Sequence, residues 1–288
     1  MEIEGRLNRR RPMEGDISDR LLRPLPPASL GGELRAALRG ALPDLAPAPV
    51  LLSDVGRGKA SVLTSAGARA PGADVVERVV GVGDRRDLVL GAPCPLARVP
   101  AGSDVAVADL RSAALLRAHH PALNPVDPTS RDDATAGEPA PAIRIQPSWP
   151  DPGLETRGEV LEAASWLPAA GQGIAVLMTS VDRAASLDHL PVDLDAKAVL
   201  AAERAVARAF SGAVVLVRGW TFSDWLGLDA LLLDPEGRRA VRGSVRDRGR
   251  EPARVADALI RRLRDRGADQ LAEPHISPRA TVSAQVSP

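Results

Sequence analysis

Leu167-Pro168-Ala169-Ala170-Gly171-Gln172-Gly173 runs directly into the apolar stretch Ile174-Ala175-Val176-Leu177-Met178. A short apolar run that opens on a glycine and ends at Thr179-Ser180 reads as a buried strand, here Gly173–Met178. Gly171-Gln172-Gly173 superficially resembles a phosphate loop. It precedes a strand, whereas a phosphate loop opens a helix, so a nucleotide reading is weak.

Downstream, Val199, Ala202, Val206 and Phe210 recur every three or four residues, which predicts a helix over Leu194–Phe210. Ala213–Val217 and Leu226–Leu233 read as strands, with a turn at Asp234-Pro235-Glu236-Gly237. Val255, Leu259 and Leu263 predict a last helix over Pro252–Gly267. Upstream, Val50–Ser53, Val75–Val80, Asp87–Leu90 and Asp104–Ala108 read as strands, and Asp109–Ala118 as a helix. A helix is expected over Gly32–Leu42 and a short one over Glu159–Ala164, with a strand at Ala142–Ile145 inside the Pro-rich stretch 121–152. Residues 1–28 are polar, then Pro-rich, and read as a flexible arm. Alternating strands and helices give an α/β chain with an α+β tail.

Composition narrows the function. The 288 residues carry 37 basic and 37 acidic side chains, so nothing points to nucleic acid, which calls for a basic stripe. No apolar run approaches the roughly 18 residues of a membrane span, and Met1–Asp16 lacks a signal-peptide core. A cytoplasmic protein without membrane attachment is expected. The single cysteine, Cys94, excludes an internal disulfide and a cysteine-based zinc cluster; it reads as a small half-buried residue. His119 and His120 are adjacent, so their side chains diverge, and no metal site is expected. Trp149, Trp166, Trp220 and Trp225 are read as core packing, with pocket lining as the alternative. Glu203-Arg204 is read as structural ion pairing. Only Lys59 and Lys197 are lysines, so arginine abundance reflects general usage and is no mark of an anion site.

From Leu167 to Gly267 the order and spacing of motifs resemble the hydroxymethylbilane synthase (porphobilinogen deaminase) family. The carriers are Leu167–Gly173, Ala202-Glu203-Arg204-Ala205, Gly219, Leu232–Gly237 and Arg264-Asp265-Arg266-Gly267-Ala268. Weaker similarity lies in Gly83-Asp84-Arg85-Arg86-Asp87, Pro100-Ala101-Gly102, Leu110-Arg111 and His120-Pro121-Ala122-Leu123, so that roughly residues 70–285 are covered. The resemblance implies an α/β, three-domain architecture: two domains similar to periplasmic binding proteins and a C-terminal α+β domain. The expected division is a flexible arm 1–28, domain 1 from 29–98 with 167–183, domain 2 from 99–166, and the C-terminal domain 184–288. It also implies that Gly173–Met178 returns to pair with residues 50–98.

That family condenses porphobilinogen into a linear tetrapyrrole on a dipyrromethane primer held by a cysteine thioether. An aspartate manages charge at the pyrrole nitrogen, and arginines hold the acidic side chains. Aligned from Ala202-Glu203-Arg204, Val214 occupies the cysteine position, so no dipyrromethane is expected. Thr64-Ser65 falls where the family has Lys-Asp, with Asp54 as the upstream alternative. Arg111 matches the first of two arginines, Ser112 replaces the second, and Asp109 replaces a serine. Arg131 matches a further arginine, while Gln146–Asp151 lacks one. Ser65, Arg111 and Arg131 are therefore the candidate ligand-binding residues, with no catalytic residue assigned. Three readings stay open. The first is a diverged family member without polymerisation, binding a small anionic or pyrrole ligand or a protein partner of the same pathway. The second is a cofactor-independent transferase acting on a pyrrole or aminomethyl substrate. The third is an interaction module without ligand.

Overall fold

A computed structural model describes residues 21–22, 50–51, 55–56, 61–67, 70–107, 109–127, 142–148, 158–188 and 190–271. The expected helix over Gly32–Leu42 and the candidates Arg131, Trp149 and Asp54 lie outside the described residues. Of the arm 1–28, Leu21–Leu22 are described, and they form a two-residue strand, β1, paired antiparallel with β2, Val50–Leu51.

Three larger sheets follow. The first holds β3 (Val62–Ser65), β10 (Ile174–Ser180) and β4 (Val75–Val82), in that order. The second has the order β7 (Asn124–Val126), β6 (Asp104–Val107), β8 (Ile143–Pro147), β5 (Asp87–Leu90), β9 (Gly158–Val160). The third is a meander of β11 (Val214–Phe222), β12 (Trp225–Leu233) and β13 (Ala240–Arg248). Among the described residues the longer helices are α1 (Leu110–His119), α2 (Leu194–Ala209) and α3 (Pro252–Arg264).

The chain crosses from the first sheet to the second and back. β4 leads through residues 83–86 into β5, which lies antiparallel between β8 and β9 of the second sheet. β9 leads back to β10, which lies antiparallel between β3 and β4 of the first. β10 is buried along its whole length, as a run of apolar residues between two partners requires. The chain changes sheet at 83–86, because Leu88–Leu90 hydrogen-bond into the second sheet.

The short helix expected over Glu159–Ala164 is absent. Gly158–Val160 pair with Leu88–Leu90, and the Leu161 N–H donates to the Asp87 carbonyl, so strand pairing overrides the local helical pattern. α2 and α3 cover one face of the third sheet. Their apolar sides join β4, β10 and that sheet face in one core, around Val176, Val199, Val206, Leu228 and Leu259. A second core unites the second sheet, α1 and the far end of β11–β12, around Leu115, Ile145, Leu216 and Leu233. Among the described residues no helix is long and apolar enough to cross a membrane.

Candidate functional site

The two crossovers lie side by side, and the charged residues gather there. The Gly83 N–H donates to the Gly173 carbonyl at 2.7 Å. Gln172 bridges the pair: its Nε2 donates to the Arg85 carbonyl and to Asp87 Oδ1, both at 3.0 Å, while the Arg85 Nε donates to the Gln172 carbonyl at 2.8 Å. Gly171 and Gly173 have φ of +78° and +74°, a region open to glycine, and a Cβ on Gly173 would stand 2.7 Å from the Asp84 carbonyl oxygen. The Gly-Gln-Gly segment is thus shaped by close backbone approach.

Glu203, on α2 and fully buried, fastens both crossovers to the third sheet. Its carboxylate accepts the Gly171 N–H at 2.8 Å and the Gly219 N–H at 2.5 Å, and pairs with Arg85 at 2.7 Å. Burial pushes the Glu203 carboxyl upward, and Arg85 and the two N–H groups work against that shift. Arg204 points elsewhere, to Glu77 of β4 at 2.6 and 2.8 Å. Both residues are structural ion-pair partners, each with another element.

Arg111 does not present itself to a ligand. Its side chain is only 6% exposed, and its Nη1 and Nη2 donate to the two Asp87 oxygens at 2.7 and 3.2 Å. The same nitrogens reach the Leu167 carbonyl and Ser112 Oγ. Burial opposes the guanidinium's charge, but Asp87 and Asp109 outweigh it and raise its pKa. The helix start it occupies is capped by Asp109, whose side chain accepts the Ser112 N–H at 2.6 Å. A carboxylate of the chain itself therefore sits where an anion would be attracted. In this structure Arg111 is engaged within the chain.

Ser65 ends β3, and its Oγ accepts the Gly173 N–H at 3.2 Å, so it supports the returning strand. Val214 opens β11, is 6% exposed and belongs to the second apolar core; Cys94 packs half-buried against the same core. Trp166 is buried, its ring centroid 6.1 Å from that of His119. Trp220 and Trp225 are only half-buried, contrary to the core-packing expectation. Among the described residues no cluster of three His, Cys, Asp or Glu side chains is arranged to hold a metal ion. A cavity of about 740 Å³ opens between the first crossover, the start of α2 and the edge strand β11, with Asp84, Arg86, Glu162, Arg218 and Trp220 on its walls. Asp84 is held well below the usual carboxylate range by the Arg86 side chain, at 2.7 to 3.1 Å.

Comparison with known proteins adds a family to this geometry. The porphobilinogen deaminase of Acidothermus cellulolyticus is 31% identical over 256 residues, covering 76% of this chain and 74% of that protein. The porphobilinogen deaminases of Ralstonia nicotianae and Chromobacterium violaceum are 31% and 34% identical, covering 67% and 63% of this chain and 60% and 61% of their own lengths. The chain belongs to the porphobilinogen deaminase family. No family model matches the sequence. Within the family, the Gly-Gln-Gly segment and the buried glutamate of α2 here form one hydrogen-bonded junction. The dipyrromethane that the resemblance implies does not fit this chain: Val214 has no sulfur to bond it and is enclosed by apolar side chains.

Asp87 and Glu203 were present in the sequence only as parts of motifs. Their signal was misplacement: Asp87 opens an apolar strand, and Glu203 lies on the apolar side of α2, four residues after Val199 and three before Val206. Carboxylates in such positions require buried partners.

Proposed function

We propose that this protein is a diverged porphobilinogen deaminase-family member of the tetrapyrrole theme that does not polymerise porphobilinogen on a covalent primer. The observation that carries the reading is Val214, buried at the head of β11 where the family's cysteine is expected. A thioether needs a sulfur nucleophile, and valine offers only methyl groups. Two further observations support it: Asp87 occupies the guanidinium of Arg111, and Asp109 caps α1. On this reading an anionic ligand would depend on Arg131, with Arg111 taken up by Asp87. The two chain crossings between separate sheets support a division into two α/β units and a C-terminal α+β unit, and we take the protein to work in the cytoplasm. The test is porphobilinogen consumption by the purified protein, followed with Ehrlich reagent. The reading expects none above the buffer rate; formation of hydroxymethylbilane would overturn it.

A further inference from the structure

The cavity of about 740 Å³ beside the crossovers lies toward the far end of β11 from Val214, and neither Ser65 nor Arg111 lines it. Most of the charge on its walls is already matched. Asp84 is paired with Arg86, Arg85 with Glu203 and Asp195 with Arg250, while Asp193 accepts the Ala196 N–H as the cap of α2. Two charged side chains are left, and both are exposed. Glu162, on the second crossover, has no partner for its carboxylate among the described residues. Arg218, on β11, faces Asp229 of β12 in register but closes no ion pair with it.

The outer edge of β11 supplies a second kind of open group. β11 is an edge strand, and along an antiparallel edge every second residue points its N–H and C=O away from the paired neighbour. Here that series includes Val217, Gly219 and Thr221. The Val217 N–H donates to the Pro168 carbonyl at 3.1 Å. The Gly219 N–H donates to Glu203 at 2.5 Å, and the Gly219 carbonyl accepts from Arg85 at 3.1 Å. The series reaches the cavity wall at Thr221, whose N–H and C=O have no partner among the described residues. Its hydroxyl alone is engaged, 3.5 Å from Asp195. Apolar surface adjoins these groups. Trp220 lies across Gly227, its ring 2.2 Å from where a Cβ would stand, and Val82 is 54% exposed on the opposing crossover.

We propose that this cavity binds a short peptide with free ends. Each open group has its complement in that chemistry. Arg218 pairs with the terminal carboxylate and Glu162 with the terminal ammonium. Thr221 exchanges hydrogen bonds with the amide between them, as an added strand does. An apolar side chain of the peptide covers Trp220 and Val82. A purely anionic ligand would leave Glu162 unmatched, and a free amino acid would leave the Thr221 backbone so. The volume lies within the roughly 300–1,000 Å³ of small-molecule sites. Isothermal titration of the full chain with alanyl-leucine tests this, and its readout is independent of porphobilinogen turnover. Saturable binding at a single site is expected. Arg218→Ala and Glu162→Gln should each raise Kd about tenfold, the effect of losing a charged hydrogen bond. Thermal unfolding without ligand should stay as in the wild type, because both side chains are exposed. The dipeptide blocked by N-acetylation and C-terminal amidation keeps its amide but loses both charges, and should bind about tenfold more weakly or worse. Leucine, which lacks the amide, should also bind more weakly. No saturable binding up to about 10 mM overturns the proposal, as does binding that either variant leaves unchanged, or that leucine or the blocked dipeptide equals.

Discussion

Arg111 shows how far a residue's meaning depends on a partner the local sequence does not reveal. Asp87 is 24 positions away, on a different element, and is fully buried against it. Arg111→Ala would leave that carboxylate in the core without a counter-charge, so a loss of about 3–5 kcal/mol in unfolding free energy is expected from denaturant titration. An Arg111 exposed to the cleft would give a change within about 0.5 kcal/mol. Asp84 leads to a pH prediction. A carboxyl whose folded pKa lies below its usual value of 3.8 binds fewer protons folded than unfolded. Its stabilising contribution is therefore complete above that value and is lost as pH falls toward the lower folded pKa. Asp84→Asn should flatten the acid limb of stability below about pH 4, measured by urea unfolding between pH 3 and 6. An unchanged limb would mean that the Arg86–Asp84 contact does not hold in solution.

At the scale of elements, the junction of the two crossovers is the part of the fold most sensitive to substitution. Gly173→Ala meets both a positive φ and the Asp84 carbonyl, and should cost about 1–3 kcal/mol. Glu203→Ala should cost about 3–5 kcal/mol, because Arg85 and two N–H groups lose their acceptor together. Both are read from denaturation curves, and a cost below about 0.5 kcal/mol for Glu203→Ala would remove Glu203 from its role as a fastening. The elements with strong periodicity were legible: β10, α2 and α3 fall within two or three residues of their expected bounds. β13 is not legible from the sequence because three of its outward side chains are arginines and its inward ones include Gly243 and Asp247, leaving Val241 and Val245 as the inward apolar beat. β9 was misread as a helix because its pairing partner, β5, lies about 70 residues upstream.

For the molecule as a whole, motif order was more informative than any single motif. Leu167–Gly173, Ala202–Ala205 and Leu232–Gly237 pointed to the porphobilinogen deaminase family, to which the chain belongs. The two crossings between sheets are not legible from periodicity, since alternation along a strand says nothing about which sheet receives it. The candidate site was legible mainly by what it lacks: Val214 could be placed by alignment, while the engagement of Arg111 and Ser65 inside the fold required coordinates. Val214→Cys alone should not create activity, because parts of a catalytic unit fail together and one repair recovers little. The central claim, a family scaffold without its covalent primer, is tested most directly by the intact mass of the protein purified from a host that makes porphobilinogen. The mass of the unmodified polypeptide is expected. A covalent pyrrole adduct, on Cys94 or any other residue, would contradict the claim and make this protein an enzyme that holds its primer by a different bond.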